Sequence, residues 1–127
     1  MRLAILLTLT ALAGCAPARV HISDDKCWDL SDGDYVQGTA NLDAWLPEAG
    51  CIECGAMIFN AKCRQKTVGL VIPYAQLSRY YNEAIHRLPT SKFGSVTARI
   101  YVEGRIVGND ATGKFRIHAE KLSIPAR

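Results

Sequence analysis

Alternation of apolar and polar residues is the feature that most constrains the fold of this 127-residue chain. From Tyr35 to Ala44 every second residue is small or apolar, and the residues between them are polar or aromatic. A period of two places one row of side chains in a core and the other in solvent, as in a half-buried β-strand. The alternation returns in residues 96–103 and 115–119, so we predict a mainly β domain. The core-facing row of the first strand would be Val36, Gly38, Ala40, Leu42 and Ala44.

Two further strands and one helix are predicted between these segments. Residues 57–63 and 67–72 have the composition of strands joined by a basic turn at residues 64–66. Residues 74–88 carry apolar side chains at helical spacing, and Pro89 ends the pattern. The predicted order is therefore three strands, a helix and two strands. The apolar stripe of the helix is Leu77, Tyr81, Ala84, Ile85 and Leu88.

This order resembles the OB-fold, a partly open Greek-key barrel of five strands. The resemblance spans roughly residues 35–124 and is carried by VTARIYVEGRI at 96–106 and KFRIHAEKL at 114–122, with Gly104 allowing a bulge or bend. It implies a small five-stranded OB-like barrel with one helix between strands three and four. In such barrels, ligands contact the second and third strands and the loops after strands one and four. An antiparallel sheet with the helix on one face is the alternative.

The first fifteen residues have the pattern of an export signal. Arg2 is followed by an apolar run, Leu3 to Ala13, and then by Gly14 and Cys15. A membrane-spanning helix needs about 20 apolar residues, so this run is too short to remain as a span. A positive start, a short apolar run and small residues at the end are typical of a cleaved signal peptide.

The last four residues of this segment, LAGC at 12–15, resemble the lipobox of bacterial lipoproteins. The resemblance implies a signal peptide at 1–14, a lipidated tether at 15–34 and the domain at 35–127. Cys15 would carry diacylglycerol (palmitate and related chains) and an acylated amino group, and several acyl chains make a stable anchor. Ala16 in place of Asp implies the outer membrane, with the domain facing the periplasm. The alternative is an ordinary secretory signal cleaved a few residues later.

The charge balance limits the expected partners. The formal net charge is +3, from 15 Lys and Arg against 12 Asp and Glu, and removal of Arg2 with the signal lowers it to +2. A nucleic-acid footprint needs a concentrated basic surface, so nucleic acid is not an expected partner. The expected partners are the membrane, through the lipid, and envelope proteins or a secretion apparatus.

Besides Cys15, the chain has four cysteines: Cys27, Cys51, Cys54 and Cys63. In an oxidising compartment they are candidates for disulfides. A bridge within the C-x-x-C pair would close only a small loop, so we expect each of its cysteines to bond to one of the two outer cysteines. A four-thiolate zinc site and a redox pair centred on Cys51 and Cys54 are the alternatives.

Polar residues expected to face outward on the predicted hairpin, together with its basic residues, are candidate ligand-binding residues. The candidates are Asn60, Lys62, Arg64 and Lys66, with an envelope protein or an acidic polymer as the ligand and a solvated hairpin tip as the alternative. The chain has no G-x-S-x-G, no H-E-x-x-H and no phosphate-binding glycine loop. We therefore predict a binding or assembly module rather than an enzyme, with no catalytic residue, metal or cofactor.

Overall fold

A computed structural model describes residues 19–46, 55–109 and 114–125, and these contain six strands and one helix. The strands are β1 (Arg19–Ile22), β2 (Tyr35–Trp45), β3 (Met57–Asn60), β4 (Cys63–Val71), β5 (Ser95–Asn109) and β6 (Lys114–Ser123), and helix α1 is Ala75–His86. The prediction of a mainly β domain with one helix between the strands is confirmed.

Five of the strands pair in a ring. Starting from β2, the order is β3, β4, β6 and β5, and β5 pairs again with β2. The β4–β6 pair is parallel and the other pairs of the ring are antiparallel. The longest ladder joins β2 to β5, from Tyr35 opposite Arg105 to Trp45 opposite Ser95. β1 lies outside the ring and pairs in parallel with the first residues of β2.

The core lies inside the ring of strands. The predicted alternation of β2 is confirmed, because Val36, Gly38, Ala40, Leu42 and Ala44 are all buried. The helix covers part of this core with Ile85, and Leu88 beyond its end is also buried. The rest of the predicted helical stripe packs against the same cluster. The described core consists of Ile22, Val36, Ala40, Leu42, Ala44, Ile58, Val68, Ile85, Leu88, Val96, Ile100, Val102, Ile106, Ile117, Ala119 and Ile124.

The turn between β3 and β4 comes earlier than the sequence predicts. It lies at residues 61–62, so the prediction of a basic turn at 64–66 is wrong. The cause is the side chain of Asn60, whose amide oxygen accepts a hydrogen bond of 2.7 Å from the backbone N–H of Lys62 and closes the turn there. Arg64 and Lys66 therefore belong to β4.

The bulge expected at Gly104 is present. The β5–β6 register shifts between Glu103 and Gly104, which leaves Glu120 of β6 as the extra residue. A side chain at Gly104 would overlap the backbone of His118, so the close approach of the two strands requires glycine.

Part of the segment predicted as a tether is folded onto the ring. Residues 19–22 form β1, and Trp28 and Leu30 pack against the core. Cys15 and the signal segment lie outside the described residues. Across residues 19–46, 55–109 and 114–125, no helix is long and apolar enough to cross a membrane.

Candidate functional site

Cys27 and Cys63 form a disulfide, with their Cα atoms 5.7 Å apart. The bridge fastens the segment after β1 to the first residue of β4. This corrects the expected pattern, in which each outer cysteine bonds to one cysteine of the C-x-x-C pair. It also removes two of the four ligands that the zinc interpretation requires. Cys51 and Cys54 lie outside the described residues.

Asn60, a candidate ligand-binding residue, is instead a structural residue. Its side chain is 1% exposed, where an outward-facing side chain was expected. The amide nitrogen donates hydrogen bonds of 2.8 and 2.7 Å to the carbonyl oxygens of Ser23 and Lys26. Together with its bond to the N–H of Lys62, this satisfies the buried amide. Asn60 thus holds residues 23–27 beside Cys63, which explains why Cys27 meets Cys63.

Lys62 takes part in the same contact. Its ammonium donates a hydrogen bond of 2.5 Å to the carbonyl oxygen of Asp25. We refer to Asn60, Lys62 and residues 23–27 as the Asn60 latch. Lys62 is exposed as well as hydrogen-bonded, so its predicted role in ligand binding stays a prediction.

Arg64 lies in a surface groove of about 490 Å³ on the outer side of β2, β3 and β5. Its guanidinium stands over the ring of Phe59, with 5.6 Å between the guanidinium carbon and the ring centroid. The other cation of the groove, Arg99, forms an ion pair with Asp24. The groove therefore keeps one positive charge, that of Arg64, without a carboxylate partner among the described residues.

Lys66 lines a separate hollow of about 480 Å³ between the segment after β1 and the strands β4 and β6. We refer to it as the Trp28 hollow. Its lining residues are Trp28, Asp29, Leu30, Lys66, Thr67, Val68, Lys114 and Phe115. Among the four predicted ligand-binding residues, Lys66 is therefore the one that shares a hollow with a second lysine and two aromatic rings.

The aromatic walls of the Trp28 hollow are fixed by the fold. The indole N–H of Trp28 donates a hydrogen bond of 3.0 Å to the carbonyl oxygen of Ser23, within the segment that the Asn60 latch holds. Phe115 lies over Gly108 of the neighbouring strand, where a Cβ would approach its ring to 2.8 Å. Both rings are partly buried against the core, so their positions are set before any ligand binds.

The charge of the hollow is positive. Lys66 and Lys114 form neither ion pairs nor hydrogen bonds with the described part of the chain, and Asp29 is the one acidic side chain among the lining residues. By contrast, Arg99 and Lys121 are paired with carboxylates. Two free ammonium groups beside aromatic surface can bind a group that is both anionic and partly apolar.

Sequence reasoning identifies Lys66 but not the rest of the hollow. Trp28 falls in the predicted tether, and Phe115 falls on the core-facing row of the last strand. The distance in sequence between these residues and Lys66 leaves no local pattern to reveal their contact. The predicted ligand-contacting loops fall mostly at residues 47–54 and 110–113, which are outside the described residues.

Among the described residues, no group of three His, Cys, Asp or Glu side chains is placed to hold a metal ion. The acidic turn at residues 29–34 is held by its own bonds: Asp34 accepts from the N–H of Ser31 at 2.9 Å, and Asp32 from the N–H of Gly108 at 2.8 Å. Comparison of the chain with protein-family models, with curated proteins and with solved structures finds no match.

Proposed function

We propose that the protein is a bacterial envelope lipoprotein whose domain is a binding or assembly module. In this proposal residues 1–14 are a signal peptide, and Cys15 carries the lipid that holds the domain at the outer membrane, facing the periplasm. The lipobox at 12–15 supports the anchor. The Cys27–Cys63 disulfide fits export, because paired thiols persist as disulfides in an oxidising compartment.

We also propose that the ring of five strands is an OB-like barrel. The pairing order β2–β3–β4–β6–β5 supports this, with a parallel β4–β6 pair and α1 between β4 and β5. In OB-fold barrels the position of the helix between strands three and four is the same. β1 would then be an addition to the barrel at the end nearest the anchor.

The observation that carries the binding function is the composition of the Trp28 hollow. Lys66 and Lys114, which have no ion pair or hydrogen bond within the described part of the chain, line the hollow together with the rings of Trp28 and Phe115. An acidic protein segment with an apolar or aromatic side chain satisfies both features, since its carboxylates meet the ammonium groups while its side chain packs on the rings. The ligand class we propose is therefore an acidic segment of another envelope protein, such as a secretion-apparatus subunit.

Site-specific photo-crosslinking in intact cells tests this function. A photoreactive residue at Thr67, which is exposed and lines the hollow, should give a discrete crosslinked partner. The same residue at Thr90, which is exposed and not part of the hollow, is the matched control. Adding Lys66→Glu and Lys114→Glu should reduce the Thr67 product at least about tenfold, because each desolvated charge contact contributes on the order of 1 kcal/mol or more.

The control double variant is Arg79→Glu with Lys92→Glu, which makes the same charge change at exposed positions. It should leave the Thr67 product unchanged. A Thr67 product no stronger than that of Thr90, or one that survives reversal of both hollow lysines, would show that the hollow is not the binding surface.

A thiol–disulfide activity of Cys51 and Cys54 is the alternative function. It is favoured by one observation, that Cys27 and Cys63 are bonded to each other and leave the C-x-x-C cysteines as the other two. Alkylation before and after mild reduction, followed by mass spectrometry, separates the two functions. Four blocked cysteines after mild reduction support a binding module, whereas selective labelling of Cys51 and Cys54 supports the redox activity.

A further inference from the structure

Two arginines share the ring of one tyrosine on the outer face of the strands nearest the N-terminus. Tyr35 opens β2 and lies opposite Arg19 of β1 on one side and Arg105 of β5 on the other. The guanidinium carbons are 5.2 Å (Arg19) and 5.8 Å (Arg105) from the centroid of the Tyr35 ring. The three side chains therefore form one continuous row across three strands.

Exposed apolar and aromatic side chains adjoin this row. Tyr74, just before α1, is 55% exposed, and Val107 of β5 is 42% exposed. Both line a small surface hollow together with Arg105, His118 and Glu120. We refer to Arg19, Tyr35, Tyr74, Arg105 and Val107 as the Tyr35 face. Arginine and tyrosine beside exposed apolar surface is the composition that proteins present to a membrane–water interface.

Two carboxylates, Glu103 and Glu120, lie near the Tyr35 face, and neither forms an ion pair with its arginines. Glu103 is paired with Lys121, at 3.6 Å. Hydrogen bonding to Glu120, followed by burial and the charges of Glu120 and Glu103, raises the pKa of the Tyr35 phenol. Arg105 donates a hydrogen bond of 2.8 Å to the carbonyl oxygen of Gly33. Neither Arg19 nor Arg105 forms an ion pair with a carboxylate of the described residues.

The length of chain before β1 limits how far the Tyr35 face can be from the proposed anchor. Arg19 is the fourth residue after Cys15. Four residues span at most about 14 Å when fully extended. This is about twice the depth of one headgroup layer, so Arg19 lies within about 14 Å of the lipid-bearing residue whenever Cys15 is acylated.

We propose that the Tyr35 face rests on the phospholipid surface that holds the anchor, with Arg19 and Arg105 contacting lipid phosphates and the rings of Tyr35 and Tyr74 at headgroup level. This inference rests on the proposed lipidation of Cys15. Arginine suits the contact because its planar guanidinium donates two parallel hydrogen bonds to a phosphate. The domain would therefore stand on the membrane in one orientation instead of turning freely on its lipid.

Fluorescence quenching of the lipidated full-length protein in vesicles tests the orientation. The vesicles contain phosphatidylcholine and phosphatidylglycerol, with a quencher attached to the lipid headgroup. Val107→Trp places a reporter in the Tyr35 face, and Phe93→Trp places a matched reporter at an exposed position near the opposite end of β5. The Val107→Trp signal should be quenched and the Phe93→Trp signal should not be.

Removal of one positive charge should weaken the docked state. Arg19→Gln is expected to lower the docking equilibrium constant about fivefold, since one basic residue near an anionic lipid surface contributes about that factor. Lys92→Gln is the matched control, because Lys92 is also exposed and stands over an aromatic ring, that of Phe93, at 5.1 Å. Urea unfolding of each variant in detergent verifies that it is folded.

The possible outcomes distinguish the docking surface from the anchor. The inference is supported if the protein floats with the vesicles and the Val107→Trp reporter is quenched. It also requires that adding Arg19→Gln to the reporter variant reduces that quenching. Flotation with equal quenching of both reporters overturns the orientation and leaves the anchor standing. Failure of the chain to float overturns the anchor, and with it the short link on which this inference depends.

Discussion

At the scale of single residues, Asn60 connects residues 23–27, which the sequence predicts to be part of a tether, with the β3–β4 turn of the domain. Its buried amide binds two carbonyl groups of residues 23–27 and one N–H of the following turn. A buried polar side chain is stable only when its hydrogen bonds are satisfied, and here backbone groups satisfy them. The sequence shows an asparagine near a turn, but the partners lie more than 30 residues away and have no local signature.

Replacing Asn60 with alanine should destabilise the protein by about 2–3 kcal/mol, because buried carbonyl groups lose their donors and a small cavity is left. Asn82→Ala on the exposed side of α1 is the control and should change the free energy of unfolding by less than about 0.5 kcal/mol. Urea unfolding measures both. Equal values for the two variants would refute the structural role of Asn60.

The partly buried phenol of Tyr81 should make the free energy of unfolding depend on pH in the alkaline range. Burial raises its pKa to about 12, from the ordinary value of 10.0. Between these values the unfolded chain releases the phenolic proton and the folded protein keeps it. The contribution of the protonated Tyr81 phenol to the free energy of unfolding is therefore complete below about pH 10 and is lost as the pH rises through about 12.

The Tyr81→Phe variant isolates this contribution. The stability of the unsubstituted protein should fall relative to that of Tyr81→Phe by about 2 kcal/mol between about pH 9 and about pH 12, because phenylalanine has no proton to lose. Unfolding free energies in urea at the two pH values give the difference. A constant difference would mean that Tyr81 ionises as readily in the folded protein as in the unfolded chain.

At the scale of elements, the long segments could be predicted from sequence and the short ones could not. β2 and α1 repeat their periods over 11 and 12 residues, so the alternation and the helical stripe identify them. β1 has four residues, too few to establish a period, and it is stabilised by pairing with β2. The β3–β4 turn depends on one side-chain hydrogen bond, which propensity does not reveal.

The disulfide between Cys27 and Cys63 should contribute about 4 kcal/mol, since it closes a loop with a sequence separation of 36 and restricts the unfolded chain. The double variant Cys27→Ser, Cys63→Ser removes the bridge and should lower the free energy of unfolding by an amount of that order.

Cys51→Ser with Cys54→Ser keeps the Cys27–Cys63 bridge and is the control for loss of two cysteines. It should retain most of the stability, because cysteines three positions apart can close only a small loop. A larger loss in the control than in the Cys27 and Cys63 variant would contradict the assigned importance of this bridge.

At the scale of the whole molecule, we propose that a membrane anchor, a docking surface and a binding hollow act together. The anchor is proposed from sequence alone, and the pairing order of the five strands supports the proposed OB-like barrel. The Trp28 hollow combines Trp28 with Phe115, and the Tyr35 face combines Arg19 with Arg105, so each brings together residues that are distant in sequence. Neither could be predicted before the pairing of the strands was known. β1 would link them to the proposed anchor, because it begins four residues after Cys15.

Metabolic labelling with palmitate, followed by membrane fractionation, tests the central claim most directly. The unsubstituted chain and the Cys27→Ser, Cys63→Ser variant should both incorporate palmitate and remain in the outer-membrane fraction. Cys15→Ser should incorporate none and leave the membrane fraction. A Cys15→Ser chain that is still labelled, or that remains membrane-bound to the same extent, would contradict the lipid anchor and the orientation derived from it.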